Sequence, residues 1–388
     1  MRWRELPTGA RRYILYHALA TPLTITQYML PVYLFMTGYS ILDVGILYTL
    51  VQVALIPLTY LVGRLFDHVA LRHGLAAIDA LEGVACLMYS AASGLLAPVF
   101  LFAGLLVDDL ATVFYPLYQA AERILYPEDR MEEALALHMR IPEFSLILGY
   151  LTLGFLFGRI FPSPHHYRIG FLSIGLASLG LVAYVLLALP RMGAEERISP
   201  GLSFSLDREF KVILLFEGLL ALAWSLAPEI VMLNYIVNVL GLTLFEAMVV
   251  EAIMSVASIS ATYLVERIPR ERGFLAMGLG YAMVSAWAAV MLFGPPFWAV
   301  VLAYFVARFG DVLAFPFYRA WIFRKVPEER ASSILSALSS YRRVIVVASP
   351  AVAGLLASLG PTMPYAASLA LFLVTSSLMA LGKRLTRA

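Results

Sequence analysis

Twelve apolar runs, each near the roughly 20 residues that a helix needs to cross a bilayer, follow one another along these 388 residues with short polar breaks between them. They fall at 12–36, 42–64, 75–93, 96–122, 135–159, 168–189, 210–238, 244–266, 274–293, 297–322, 332–357 and 364–383. A soluble core cannot absorb so many. With 61% hydrophobic and 14% charged residues there is too little polar surface to cover a globule of this size in water. The expected solvent is lipid, and the expected class is an all-α integral membrane protein. Met1 to Arg12 is basic, but the run behind it is long enough to span and leads straight into a second, so it is read as a retained helix and not a cleaved leader.

Arginine and lysine orient the chain. Of the 28 basic residues, only Arg159 and Arg168 fall in one set of loops, and Arg308, Arg342 and Arg343 fall inside segments. All the others lie in the two tails, in the opposite set of loops, or at the helix ends beside them. That asymmetry predicts both termini in the cytoplasm of a multi-pass protein of the plasma membrane. The longest connection, Arg191 to Glu209, is then a charged cytoplasmic linker. It divides a first six-helix bundle, 1–190, from a second, 210–388. A net charge of +2, scattered along the chain, gives no footprint for nucleic acid, and the single Cys86 allows no intrachain disulfide.

The halves resemble each other. TYLVGRLF, Thr59 to Phe66, returns as TYLVERIP, Thr262 to Pro269, 203 residues later. YPLYQAAERILYPEDR, Tyr115 to Arg130, returns as FPFYRAWIFRKVPEER, Phe315 to Arg330, at a shift of 200, with proline, tyrosine, alanine and the closing Pro-Glu-acid-Arg in register. Gly38 to Asp43 and Gly241 to Glu246 lead alike into the second and eighth segments. A repeat at half the chain length predicts two related six-helix bundles.

After the second segment, GRLFDHVALR resembles the loop signature of the major facilitator superfamily: Gly63, Leu65, Asp67 and Arg72 match it, while Ala70 and Leu71 stand where that family prefers a glycine and a basic residue. The Pro-Glu turns after the fourth and tenth segments and SILDVG from Ser40 are also similar to that family, and the resemblance covers nearly the whole chain. It implies twelve transmembrane helices in two pseudo-symmetric bundles. It also implies secondary transport by alternating access, with segments 1, 4, 7 and 10 lining a central cavity. Gly63, Asp67 and Arg72 would then form the gating loop; the plainer reading is a charged loop obeying the positive-inside rule. Two features depart from the family's proton antiporters. Asp108 lies near the place where segment 4 often carries an arginine, and segment 5 has Gly149, Gly154 and Gly158 without the accompanying proline.

Ionisable groups inside the apolar runs bear on mechanism, because each costs on the order of 3 kcal/mol at a helix centre unless water or a partner receives it. Asp108 and Asp109 fall in the middle of segment 4, Arg308 and Asp311 in segment 10, Arg342 and Arg343 in segment 11, and Glu143, Glu217 and Glu251 about a third of the way into segments 5, 7 and 8. The 200-residue shift sets Asp108 opposite Arg308 and Glu143 opposite Arg343. One reading is a cavity with an acidic and a basic wall. The other is a set of neutralising salt bridges, since Arg308 and Asp311 are three residues apart on one helix. Proton coupling needs a carboxylate that can be buried and protonated in turn. The candidates are Asp108 and Asp109, then Glu143, then Glu217. Substrate contacts are sought among Gln27, Tyr115, Tyr118, Trp224, Asn234, Arg308, Asp311, Tyr318 and Arg343, although aromatics at helical spacing also serve packing.

No phosphate-cradling glycine loop followed by lysine occurs, and His165 and His166 lack a third ligand at metal spacing, so neither an ATPase nor a metal enzyme is expected. No cofactor is implied. The partners expected are lipid, a small-molecule substrate, and protons or another coupling ion, for a monomer. Export of amphipathic compounds competes with uptake of a zwitterionic or anionic metabolite. The alternative of another class is a receptor or assembly partner that keeps the fold without transport.

Overall fold

The computed structural model describes residues 3–66, 70–127, 131–191, 208–265, 267–325, 338 and 341–385. Among these residues the regular structure is entirely helical. Ten helices are long and apolar enough to cross a membrane. The apolar helix Met363–Met379 is an eleventh span, and the broken first segment is the twelfth.

That first segment, α1, runs as Thr8–Ala20, a tighter turn Thr21–Ile25, and Thr26–Met36. Pro22 sits in the tight turn, where its missing N–H removes one rung of the helix. Next come α2, Ile41–Phe66, and α3, Leu71–Ala91. The fourth span, α4, is Ala97–Ala111 continued by Pro116–Leu125. Met131–Phe155 with the wider turn Leu156–Ile160 makes α5, and Pro164–Ala188 makes α6. In the second half, α7 joins Arg208–Ser225 to Glu229–Asn234 across Pro228. It is followed by α8, Leu244–Val265, α9, Gly273–Met291, and α10, Phe297–Lys325. The last two are α11, Tyr341–Leu359, and α12, Met363–Leu385.

The repeated words have physical work at helix ends. Gly38 and Gly241 both take left-handed backbone, φ 96° and 66°, which a side chain would resist. Two residues later Ser40 and Thr243 cap α2 and α8. The Ser40 N–H and hydroxyl donate to Asp43 Oδ2 at 2.9 and 2.6 Å, and the Asp43 N–H donates back to Ser40 Oγ at 3.2 Å. The Thr243 N–H and hydroxyl donate to Glu246 Oε2 at 2.9 and 2.7 Å, and the Phe245 N–H donates to Thr243 Oγ1 at 3.3 Å. Both are reciprocal capping boxes, which occupy donors that a helix start leaves unpaired.

The chain forms two compact units, and neither is a simple half. Unit 1 holds residues 1–38, 50–197 and 243–248; unit 2 holds 39–49, 198–242 and 249–388. Each unit therefore includes the start of a helix whose remainder belongs to the other. In unit 1 the start of α8 is fixed to α5 by an ion pair between Arg159 and Glu246. In unit 2 the start of α2 is fixed to α11, where the Ala351 N–H donates to Thr49 Oγ1 at 3.0 Å.

Inside unit 1, α3 lies against α4 and α6. Gly83 and Gly175 let α3 and α6 meet backbone to backbone, and a Cβ on Gly175 would stand 2.9 Å from the Gly83 carbonyl oxygen. This close approach seats the middle of α3 in the interior of the unit, where Asp79 is 1% exposed.

Candidate functional site

Three carboxylates of unit 1 lie on α3 and α4, close to α1. Because α3 and α4 run antiparallel, residues descending one helix meet residues ascending the other. The Tyr89 hydroxyl on α3 donates to Asp108 Oδ2 on α4 at 3.2 Å. About 10 Å along α3, at seven residues of helical rise, the donor and acceptor change sides: the Tyr115 hydroxyl on α4 donates to Glu82 Oε1 on α3 at 3.1 Å. One turn further, the Tyr16 hydroxyl on α1 donates to Asp79 Oδ1 at 3.1 Å and lies 3.3 Å from the Tyr118 hydroxyl on α4. Three carboxylates, Asp79, Glu82 and Asp108, are thus each held by a tyrosine hydroxyl. A neutral hydroxyl orients a carboxylate without cancelling its charge, so the column can take up a proton or a cation.

At the α1 end of this column the rings close up. His17 packs edge-on against Tyr13 at 4.6 Å and Tyr118 at 4.8 Å, and lies 4.6 Å from the His138 ring. His138 Nδ1 lies 3.4 Å from Glu122 Oε1 and 2.5 Å from the Tyr126 hydroxyl. The Tyr13 hydroxyl donates to the Tyr118 carbonyl at 3.0 Å, tying α1 to α4. Among the described residues no group of three or more His, Cys, Asp or Glu side chains is placed to hold a metal ion.

Unit 2 handles its charges differently. Arg342 Nε on α11 lies 3.5 Å from Glu217 Oε2 on α7, where Glu217 is 6% exposed. On α10 the Arg308 Nε–H donates to Ser258 Oγ of α8 at 2.8 Å, and its Nη1 lies 3.5 Å from Asp311 Oδ2. Here arginines neutralise the acids.

The other residues singled out in the sequence take varied places. Glu143 keeps a buried carboxylate oxygen with no hydrogen-bond partner, and Asp109 is engaged beside Asp108. Gln27 and Arg343 are exposed. Trp224 packs on Trp287 and Phe372, at 5.8 and 5.1 Å, as part of an aromatic core, and the Tyr318 ring lies tilted against Phe216 at 5.1 Å. Asn234 is buried and accepts from the Asn238 amide at 2.9 Å. Of the gating loop, Gly63 lies in α2 and Arg72 in the first turn of α3, its Nε buried without a hydrogen-bond partner. Asp67 lies outside the described residues.

Asp79 and Glu82 were not picked out by the sequence. The apolar run suggests a helix starting at 75, which leaves Asp79 in its second turn, whereas α3 starts at Leu71 and puts Asp79 near the middle of a 21-residue helix; Glu82 lies near the middle on either reading. Their spacing of three residues, which puts both on one face, was the available signal.

A family model described as the Major Facilitator Superfamily matches residues 12–350. No curated protein matches the chain. Among solved structures, one described as a bacterial homologue of the iron transporter ferroportin in an inward-facing state is 16% identical, with a TM-score of 0.76 over 96% of this chain and 97% of that one. A bacterial metal transporter is 14% identical, with a TM-score of 0.71 over 97% and 98%. A peptide transporter in complex with sulfate is 13% identical, with a TM-score of 0.72 over 98% and 95%. At these identities the likeness shows the fold.

Proposed function

The chain belongs to the major facilitator superfamily, and from that premise we propose that it is a proton-coupled secondary transporter that exports amphipathic organic cations by alternating access. The observation that carries this reading is the tyrosine-held column of Asp79, Glu82 and Asp108 in unit 1. Carboxylates beside aromatic rings suit a lipophilic cation, since the acid supplies charge and the ring face supplies both apolar contact and attraction for a cation. The same carboxylates, alternately occupied by proton and substrate, supply the exchange. Asp108 and Asp109 on α4 are the first residues to test.

In this proposal the chain lies in the plasma membrane as a monomer with both termini in the cytoplasm. Two six-helix bundles, 1–190 and 210–388, rock about a central site, and the 191–209 linker joins them. The distribution of arginine and lysine supports that orientation. Gly63, Asp67 and Arg72 form the cytoplasmic gate.

The test is proton movement in liposomes holding the purified protein and an internal pH-sensitive dye. Ethidium, tetraphenylphosphonium, amino acids and organic anions are supplied in turn. Cation-dependent proton flux that is lost in Asp108→Asn or Asp109→Asn is the expected result. Flux with an amino acid or organic anion alone would transfer the assignment to uptake of a zwitterion or anion, with Arg308 as its binding group. Absence of proton flux with every compound, from folded protein, would remove proton coupling and leave transport coupled to another ion, uniport, or a non-transporting membrane protein.

A further inference from the structure

Of the two acids that the sequence passed over, Asp79 and Glu82, the first has the least exposed side chain of the column. Asp79 is 1% exposed at the middle of α3; its Oδ1 accepts from the Tyr16 hydroxyl, and its Oδ2 is buried with no hydrogen-bond partner. The titratable groups that face it from the helices packed around it are few. On α1 there is Tyr16, on α4 Tyr118, whose hydroxyl meets that of Tyr16, and on α3 itself Glu82, one turn away. From α6 nothing ionisable reaches this level. Of that helix's ionisable side chains, His165, His166, Tyr167 and Arg168 lie in its first turns, with Arg168 donating to the Ser90 carbonyl eleven residues along α3, and Tyr184 donates to the Arg12 carbonyl. Among the described residues no arginine or lysine is paired with Asp79.

An ionised carboxylate in that position would hold a full charge against one neutral donor, with a second oxygen unsolvated. A neutral acid there leaves only one polar hydrogen unpaired, and the second cost is much the smaller. Resting on the transporter reading above, we infer that Asp79 is a proton-carrying residue of this protein, protonated in the conformation described and ionised in another that brings water to Oδ2. The step is a proton exchange alone. The carboxylate takes one proton from water on one side of the membrane and becomes the neutral acid, then returns that proton to water when α1, α3 and α4 repack. No electron or other group moves. Tyr16 and Tyr118 are positioning residues: through them the charge on Asp79 is felt on α1 and α4. Tyr16 donates to Asp79, so the Tyr118 hydroxyl is left to donate to Tyr16, and a change at Asp79 reorders both.

The assignment is tested without knowing the natural substrate. Infrared difference spectra of the full chain in lipid, recorded from about pH 5 to about pH 9, follow the C=O stretch of protonated carboxyl groups. The expected result is a component that titrates in the wild type, is lost in Asp79→Asn and is retained in Asp79→Glu. In Tyr16→Phe that component should move to higher frequency, because the C=O has lost its hydrogen-bond donor; a merely structural tyrosine would not move it. A titrating spectrum unchanged in Asp79→Asn overturns the assignment. Should that variant not fold, a component unmoved in Tyr16→Phe overturns it equally. The liposome assay with ethidium separates the two ideas. Proton flux in the wild type together with unchanged infrared spectra in Asp79→Asn sinks the Asp79 assignment alone. A component lost in Asp79→Asn without any flux in the wild type upholds Asp79 as a buried proton site and sinks the coupled-transport reading.

Discussion

The two units bury acids with opposite chemistry. In unit 1, Asp79, Glu82 and Asp108 are held by the hydroxyls of Tyr16, Tyr115 and Tyr89. In unit 2, Glu217 and Asp311 face Arg342 and Arg308. A tyrosine holds a carboxylate whether it is charged or neutral, because the acid accepts in either state. An arginine holds only the charged form at full strength, and fixes it there. Two units that each carry a capping box at a helix start therefore hold their acids by different means: one with neutral hydroxyls and the other with cations. The pairing of Arg159 with Glu246 marks the limit of that division, since it joins an acid from the chain's second half to an arginine of its first.

Removing charges should separate the units. The largest loss of stability is expected in Arg342→Met, which leaves Glu217 buried without its cation. The cost should be about 2 kcal/mol, below that of a fully buried pair because the Arg342 side chain is half-exposed. Thermal unfolding in detergent measures it, and adding Glu217→Gln should restore most of the loss. Next comes Arg308→Met, at about 1 kcal/mol, because Asp311 is only partly buried and the lost partner Ser258 is neutral. Tyr89→Phe removes one neutral hydrogen bond from Asp108 and should cost about 1 kcal/mol or less. The smallest effect decides most. Asp108→Asn should change stability by less than about 0.5 kcal/mol, since an amide oxygen still accepts from Tyr89, whereas Asp311→Asn strands an arginine and should cost clearly more. Equal costs for the two amides would end the contrast between the units.

The sequence by itself determined what depends on neighbours along the chain. The length of the apolar runs set membrane helices, because a bilayer of fixed thickness admits only segments of that length. The glycine two residues before Ser40 and Thr243, with an acid three residues after each, set the starts of α2 and α8, because a capping box is closed by residues three apart. The repeat at about 200 residues set the order of the helices. The tertiary structure decided who holds each acid. Asp79 meets Tyr16 across 63 positions, Arg308 meets Ser258 across 50, and Trp224 meets a packed aromatic core and not an open wall. It also decided that α3 begins at Leu71, which carried Asp79 from the second turn of a helix toward its centre. A hydrogen-bond partner on another helix leaves no periodic trace in the sequence, because the rotation and depth that bring two side chains within 3 Å are fixed only when the helices pack.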